Sequence, residues 1–359
     1  MSKVLMKGNE AIALAAILGG LDAFFGYPIT PQNEVPEYLS HHLLERGKVF
    51  VQAESEVAAI NMVYGAAGTG KRVMTSSSSV GIALKQEGIS YIAASEVPCV
   101  IVSVMRGGPG LGSIQPSQGD YNQATRGGGN GDYKVIVLAP ESIQEIVDIM
   151  KESFDIAEMY RNPVMVLADG LIGQMMESVD LDRPIKKREL PAKDYATIGT
   201  DFHGGKRRII TSLNIEAADL EQHNLKLRAK YDLIEKNEVR YEMVNMDSNP
   251  DYVIVAYGTV ARIVRSSIQI LKQNGINVGL IRPISLWPYP YEAFDQIPKS
   301  VKGILVAEMS LGQMLQDVLI ANQGRHKVGF FGRAGGIVPE PEEIAEAIMK
   351  FEELVVTKV

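Results

Sequence analysis

Short apolar runs with almost no polar interruption, set between helix-like stretches, constrain this chain more than any other feature. Val73 to Thr75, Val100 to Val104, Val135 to Leu138 and Val164 to Ala168 read as strands buried on both faces. Asn9 to Gly19 and Glu54 to Gly68 carry the small and apolar residues of packed helices. Such alternation predicts a parallel sheet covered by helices on both sides. The texture breaks near residue 178: Asp180 to Lys206 is rich in proline and charge, with no apolar run. Asn214 to Asn237 then reads as a charged helix with Leu220, Leu227, Tyr231 and Ile234 along one face, a connector that leans on the body or on a partner. The α/β texture returns with Val253 to Tyr257, a helix over Arg262 to Gln273, Val278 to Ile281, Gly303 to Ala307, a helix near Gln313 to Ala321, and Pro341 to Phe351. A chain of 359 residues also exceeds the roughly 250–300 at which single cores stop growing. The expectation is α/β, two doubly wound domains over 1–178 and 248–359, joined by the connector 179–247.

Composition removes several classes of function. A net charge of −7 and a pI near 5.4 provide no basic field for nucleic acid. Cys99 is the single cysteine, so no intrachain disulfide, zinc knuckle or iron–sulfur cluster can form. It follows Pro98 at the head of an apolar run and reads as a core residue. His41, His42, His203, His223 and His326 lack metal-ligand spacing, and no metal is expected on this chain. The Ala/Leu-rich run after MSKVLMKGNE is too short to span a bilayer and lacks a cleavage site, so a cytoplasmic protein without membrane contact is expected. Gly65 to Lys71 has the spacing of a phosphate-cradling loop, but Arg72 stands where Ser or Thr must hold Mg²⁺, and the glycines follow a helix. It reads as a helix C-terminus.

Four segments carry chemistry. Gln52-Ala-Glu-Ser-Glu56-Val-Ala-Ala59 opens a helix, with Gly65 nine positions after Glu56. Glu54 is the rival acid, on a different helical face. Gly26-Tyr27-Pro28-Ile29-Thr30-Pro31 follows a strand-like Phe24 to Ile29. Its prolines stiffen the loop, presenting the Thr30 hydroxyl or capping a helix. Thr75 to Ser79 is a serine-rich turn. Arg106 ends a strand before a glycine cluster, placing a permanent cation at the carboxyl edge of the sheet, where α/β ligands bind.

In this order and at these distances the segments resemble the alpha subunits of 2-oxoacid:ferredoxin oxidoreductases, and Tyr252 to Ile348 is similar to the transketolase-like C-terminal domain of the same subunits. The segment Gly107 to Tyr133, with Gln115-Pro-Ser-Gln118 and Gly127 to Asp132, looks most like the branched-chain (3-methyl-2-oxobutanoate) members, with the 2-oxoglutarate members second. The resemblance implies a pyrimidine-binding domain for thiamine diphosphate followed by a transketolase C-terminal-like domain. It places Tyr27, Pro28, Ile29, Thr30, Glu56 and Ser79 beside the cofactor, and Thr30 and Arg106 beside the substrate. Glu56 would hydrogen-bond the ring nitrogen whose protonation makes the cofactor's amino group a competent base, a task suited to a buried carboxyl. Arg106 would hold the 2-oxoacid carboxylate.

No Gly-Asp-Gly segment occurs in the chain, so the diphosphate and Mg²⁺ half of the cofactor site is missing. By resemblance a beta subunit with the diphosphate-binding domain supplies it. A ferredoxin-like subunit would hold the iron–sulfur clusters, with a gamma subunit where the complex has one. The reaction implied converts a 2-oxoacid and coenzyme A to acyl-CoA, CO₂ and reduced ferredoxin. The alternatives are a 2-oxoglutarate enzyme, half of a lipoamide-linked 2-oxoacid dehydrogenase, a sulfopyruvate or indolepyruvate relative, and a non-catalytic assembly subunit.

Overall fold

The computed structural model describes residues 3–356. The first part of the chain runs β1 (Val4–Lys7), α1 (Gly8–Leu18), β2 (Ala23–Gly26), α2 (Glu34–His42), β3 (Val49–Gln52), α3 (Glu56–Gly68), β4 (Val73–Ser77) and α4 (Ser79–Ala94). It continues through β5 (Val100–Met105), α5 (Tyr121–Arg126), β6 (Ile136–Leu138), α6 (Ile143–Tyr160), β7 (Val164–Asp169), α7 (Gly170–Gln174) and β8 (Met176–Val179). After a long irregular stretch come α8 (Ala217–Asn237), β9 (Tyr241–Val244), β10 (Tyr252–Val255), α9 (Gly258–Gln273), β11 (Val278–Pro283) and β12 (Ser285–Trp287). The last elements are β13 (Gly303–Glu308), α10 (Leu315–Asn322), β14 (Val328–Gly332) and α11 (Pro341–Met349).

Seven strands form the first sheet in the order β12-β6-β7-β5-β4-β2-β3, and all but β12 pair in parallel. Every residue of β4, β5, β6 and β7 is buried, which is why most of their positions are apolar, with Thr75, Ser76, Ser77, Ser103 and Asp169 as buried polar exceptions. Helices cover both faces, and their starts are locally specified. The Ser55 hydroxyl caps α3 by accepting the Ala58 N–H, and the Ser142 hydroxyl does the same for α6 through Glu145.

The second sheet has the order β14-β13-β10-β11-β9, with β9 antiparallel to β11. Two strands cross expected territory. β9 lies within the stretch read as connector yet extends the second sheet, and β12, between β11 and β13, completes the far edge of the first. The two units therefore share chain.

The structure changes several element limits. The strand expected over Phe24 to Ile29 ends at Gly26, because the prolines at 28 and 31 remove ladder donors. The helix expected from Glu54 starts at Glu56, since Ser55 takes the extended cap conformation. The helices expected from Asn214 and Gln313 start at Ala217 and Leu315. On α8, Leu227, Tyr231 and Ile234 are buried, but Leu220 is exposed.

The irregular stretch is pinned to the first unit. The Thr197 N–H donates to the Gly68 carbonyl at 2.9 Å and Lys193 Nζ donates to the Gly70 carbonyl at 2.9 Å, while Arg188 forks onto Glu238 at the end of α8, which also accepts from Tyr160 Oη at 2.8 Å. Gly68 to Gly70 thus ends α3 as a packed turn with Gly70 at φ +80°. α8 leans on the body through the Lys226–Glu96 ion pair and the edge-on contact of Tyr231 with Trp287.

Between the two units Arg282 on β11 is the ionic hub. Its Nη1 and Nη2 hold both oxygens of Glu145 at 2.9 and 3.0 Å, and its Nε holds Glu242 at 2.9 Å, with the side chain 5% exposed. Removing the cation leaves half-buried Glu145 without its partner, while Arg265 still holds Glu141 and Glu242. Arg282→Met is expected to lower stability by about 1.5–3 kcal/mol in urea denaturation, the scale of lost hydrogen bonds to a charged group.

Candidate active site

The carboxyl ends of β2, β3, β4, β5 and β7 face one cleft, and the candidate residues sit on the turns that leave them. At the β3–α3 turn the Ala53 N–H donates to the Gly26 carbonyl at 2.9 Å, and the Ser55 cap starts the helix one residue later. Glu56 is consequently the first helical residue, 7% exposed, while Glu54 lies outside the helix in solvent. The Glu56 carboxylate points to the start of α4. A Cβ at Gly81 would stand 2.8 Å from Glu56 Oε1 and would overlap Ser77 Oγ, so only glycine leaves room there.

Among the described residues Glu56 makes no hydrogen bond and no ion pair. Beside it the Ser77 hydroxyl is buried without a partner, as is that of Ser78, the next residue in the chain. A buried acid next to two unpaired hydroxyls calls for a polar ligand. An aminopyrimidine ring, with an amino donor and ring nitrogens, matches that set of groups.

The Tyr27 to Thr30 loop is held from beneath. Gln32 Nε2 donates to the Tyr27 carbonyl at 3.4 Å, and its Oε1 accepts from Ser76 Oγ at 2.5 Å. Asn9 Nδ2 donates to the Pro31 carbonyl at 2.8 Å. Tyr27 and Pro28 are exposed, Ile29 and Thr30 half-buried. Thr30 does not cap α2, which begins at Glu34. Its hydroxyl accepts from Asn33 Nδ2 at 3.2 Å.

Arg106 differs most from expectation. It is 8% exposed, and its Nη1 and Nη2 donate to the Thr30 and Leu111 carbonyls at 3.1 and 3.0 Å. Only Nε is without a partner. Its fork therefore ties the Thr30 loop to the glycine loop instead of standing open. The Arg106 N–H in turn donates to Ser79 Oγ at 3.0 Å, and that hydroxyl donates to Asp120 Oδ2 at 2.5 Å.

Asp120 escaped the sequence reading. Burial pushes its carboxyl above the usual range, against the Ser79 hydrogen bond and the Arg106 charge. It borders a recess of about 380 Å³ between the glycine loop and the second unit, with Ser117, Met309, Ser310 and Gln313. A recess of about 500 Å³ on the other side of Thr30 is lined by Pro31, Ile114, Pro116, Leu171 and Val338. One of about 680 Å³ beside α8 touches none of the candidate residues. Lys85, wholly buried on α4, was also missed. Its signal was legible, because it interrupts the apolar stripe Ile82, Ile89, Ile92 at helical spacing.

The remaining motifs settle structurally. Met309 meets Gln118 across the two units, so Val306 to Gln313 is an interface within the chain. The glycine loop packs tightly there: a Cβ at Gly107 would lie 3.0 Å from the Gly335 backbone. His41, His42 and Glu45, not associated by spacing, come together with the Glu45 carboxylate 3.3 and 3.2 Å from the two imidazoles, His41 and Glu45 being exposed.

Comparison with known proteins gives a consistent picture. The family model described as pyruvate flavodoxin/ferredoxin oxidoreductase, thiamine diP-binding, matches residues 14–243, and that of pyruvate:ferredoxin oxidoreductase core domain II matches 250–344. The chain is 45% identical to ketoisovalerate oxidoreductase subunit VorB of Methanothermobacter thermautotrophicus, over 97% of each chain. It is 37% identical to 2-oxoglutarate synthase subunit KorA of Archaeoglobus fulgidus, over 95% of this chain and 97% of that one. Among solved structures it superimposes with a TM-score of 0.86 and 29% identity on 2-oxoglutarate:ferredoxin oxidoreductase from Magnetococcus marinus, solved with 2-oxoglutarate, coenzyme A and succinyl-CoA. That match covers 97% of this chain and 65% of the other. A split-gene transketolase shares the fold at a TM-score of 0.59 and 13% identity, over 97% of this chain and 99% of that one.

Two outcomes follow from this geometry. Gly81→Ala should displace the Glu56 carboxylate and lower turnover of the assembled enzyme by about a hundred-fold, the scale of a misplacement near 1 Å, with a near-native melting curve as the control. Cys99, 2% exposed and with its thiol pushed up to about 12 by burial, should not react with an aromatic disulfide reagent at pH 8 until urea unfolds the chain.

Proposed function

Since the chain belongs to the pyruvate flavodoxin/ferredoxin oxidoreductase family, as a subunit of the 2-oxoacid:ferredoxin type, we propose that it supplies the pyrimidine-side half of a thiamine diphosphate site that oxidatively decarboxylates 3-methyl-2-oxobutanoate. The observation that carries this reading is Glu56, a buried carboxylate free of hydrogen-bond partners among the described residues, beside the unpaired Ser77 and Ser78 hydroxyls. The high identity to a ketoisovalerate oxidoreductase subunit supports the branched-chain substrate.

When bound, thiamine diphosphate supplies the carbon nucleophile and electron sink for decarboxylation. This chain's residues bind and orient. Glu56 accepts the hydrogen bond of the ring nitrogen, and the low polarity around it strengthens that bond. The loop of Tyr27, Pro28, Ile29 and Thr30, fixed by Gln32 and Asn9, forms a stiff wall that costs little to order on binding. Arg106 adds a permanent positive charge and an Nε–H without a partner, which draw the 2-oxoacid carboxylate toward Thr30. Ser79 relays the position of α4 to Arg106 and Asp120.

A beta subunit would bring the diphosphate and Mg²⁺ contacts, and a cluster-bearing subunit would take the electrons, as the missing Gly-Asp-Gly segment and the single cysteine require. No helix among the described residues is long and apolar enough to cross a membrane, and the proposed setting is the cytoplasm.

Viologen reduction by the co-purified complex tests the reading, with thiamine diphosphate, coenzyme A and 3-methyl-2-oxobutanoate, 2-oxoglutarate or pyruvate. Turnover is expected to be fastest on 3-methyl-2-oxobutanoate and to fall about a hundred-fold or more in Glu56→Gln, the size of an acid–base contribution. A preference for 2-oxoglutarate, the acid named for the KorA relatives, would move the substrate assignment. An unchanged Glu56→Gln enzyme would make the chain an assembly subunit.

A further inference from the structure

The start of α4 carries a second ionisable group that the role given to Glu56 does not use. Lys85 has its entire side chain out of solvent, on the apolar face that also bears Ile82 and Ile89. An ammonium in that setting is costly unless something compensates it. Its Nζ donates to Thr75 Oγ1 at 2.5 Å and to the Ser76 carbonyl at 3.2 Å, two neutral acceptors within β4. Lys85 forms no ion pair among the described residues. Burial pushes the ammonium down to about 7, and the Glu56 carboxylate is the one charge that works against that fall.

Helix geometry explains the association. Lys85 lies one turn beyond Gly81 on the same face, and helical side chains lean toward the N-terminus. The lysine stem therefore leans back toward the gap that Gly81 leaves. That gap is where the Glu56 carboxylate lies, 2.8 Å from the place a Gly81 Cβ would take. Attraction between the two charges is reciprocal, and a site of low polarity transmits it with little screening.

We propose that Lys85 is a positioning residue for Glu56: its ammonium, anchored on Thr75 and Ser76, orients the Glu56 carboxylate toward the cleft, where it can accept a hydrogen bond from the protonated ring nitrogen of the cofactor. This rests on the role given to Glu56 above. A lysine that merely pins α4 to β4 would make the same two hydrogen bonds, but its charge would not matter to the cofactor.

A double-mutant cycle on thiamine diphosphate affinity separates the two, measured by calorimetry on the assembled complex after the cofactor is stripped. Lys85→Gln keeps a donor for Thr75 and removes the charge, whereas Lys85→Met removes both. With Glu56 present, Lys85→Gln should weaken affinity about three- to tenfold, a normal coupling for neighbouring groups, and in the Glu56→Gln background by less than about twofold. Equal losses in the two backgrounds would overturn the proposal and leave Lys85 as a structural pin. Unchanged affinity in Glu56→Gln alone would overturn the role of Glu56, and that of Lys85 with it. If Lys85→Met does not assemble, the cycle built on Lys85→Gln decides.

Discussion

One buried amide holds the two units of this protein in register. Gln118 is fully buried, and its backbone N–H donates to the Met309 carbonyl at 2.9 Å while its Oε1 accepts the Met309 N–H at 3.0 Å. Its Nε2 donates to the Tyr257 carbonyl at 2.9 Å, and its own carbonyl accepts from Tyr257 Oη at 3.3 Å. Every polar group of the residue is thereby paired. Pulling the units apart would expose several of these bonds at once, and shifting them slightly would leave buried groups unpaired, at about 1–3 kcal/mol each. Asp120 follows two residues later and reaches Ser79, which holds Arg106 and the start of α4. The wall of the cleft is thus set by the packing of the second unit onto the first.

Charge is used in the same way elsewhere. Two arginines, half-buried Arg72 and buried Arg282, each gather several carboxylates. Arg72 binds Glu158 and Asp155 and donates to the Gly19 carbonyl at 2.7 Å, drawing together α1, β4 and α6 at the amino edge of the sheet. Arg282 does the equivalent at the junction. With the amino edge and the junction fixed, the carboxyl edge can carry unpaired groups such as the Glu56 carboxylate and the serine hydroxyls of the β4–α4 turn without loosening the frame.

What could be seen in the sequence follows from these forces. β5 and β7 are buried on both faces, so each shows as a mainly apolar run, whereas β4 is apolar only at Val73 and Met74 before its buried Thr and Ser residues. β9 is half-buried and three-residue β12 is short, and neither carries a pattern that distinguishes it from loop. Glu56 and Arg106 stood out because their segments resemble a family, but the geometry of Arg106 was not legible: which carbonyls fill its fork depends on two loops far apart in sequence. Thr30 read as a helix start because Thr-Pro is a good local signal, yet the helix waits until Glu34, where the chain has cleared the contacts of Pro31 with Asn9. Lys85 left a trace, a charge in an apolar stripe, whose meaning depends on the neighbour that Gly81 admits.

β12 also governs the order in which the molecule can be completed. The edge beyond β6 is closed by residues 285–287, which lie past the first three strands of the second sheet in sequence. As the chain leaves the ribosome, the first sheet must wait with β6 as its exposed margin while roughly a third of the polypeptide is made, and a pairing this distant in sequence is slow to close. Truncation after the first unit would therefore leave that margin open permanently, with the ladder groups of Val137 and Leu138 available to any other strand.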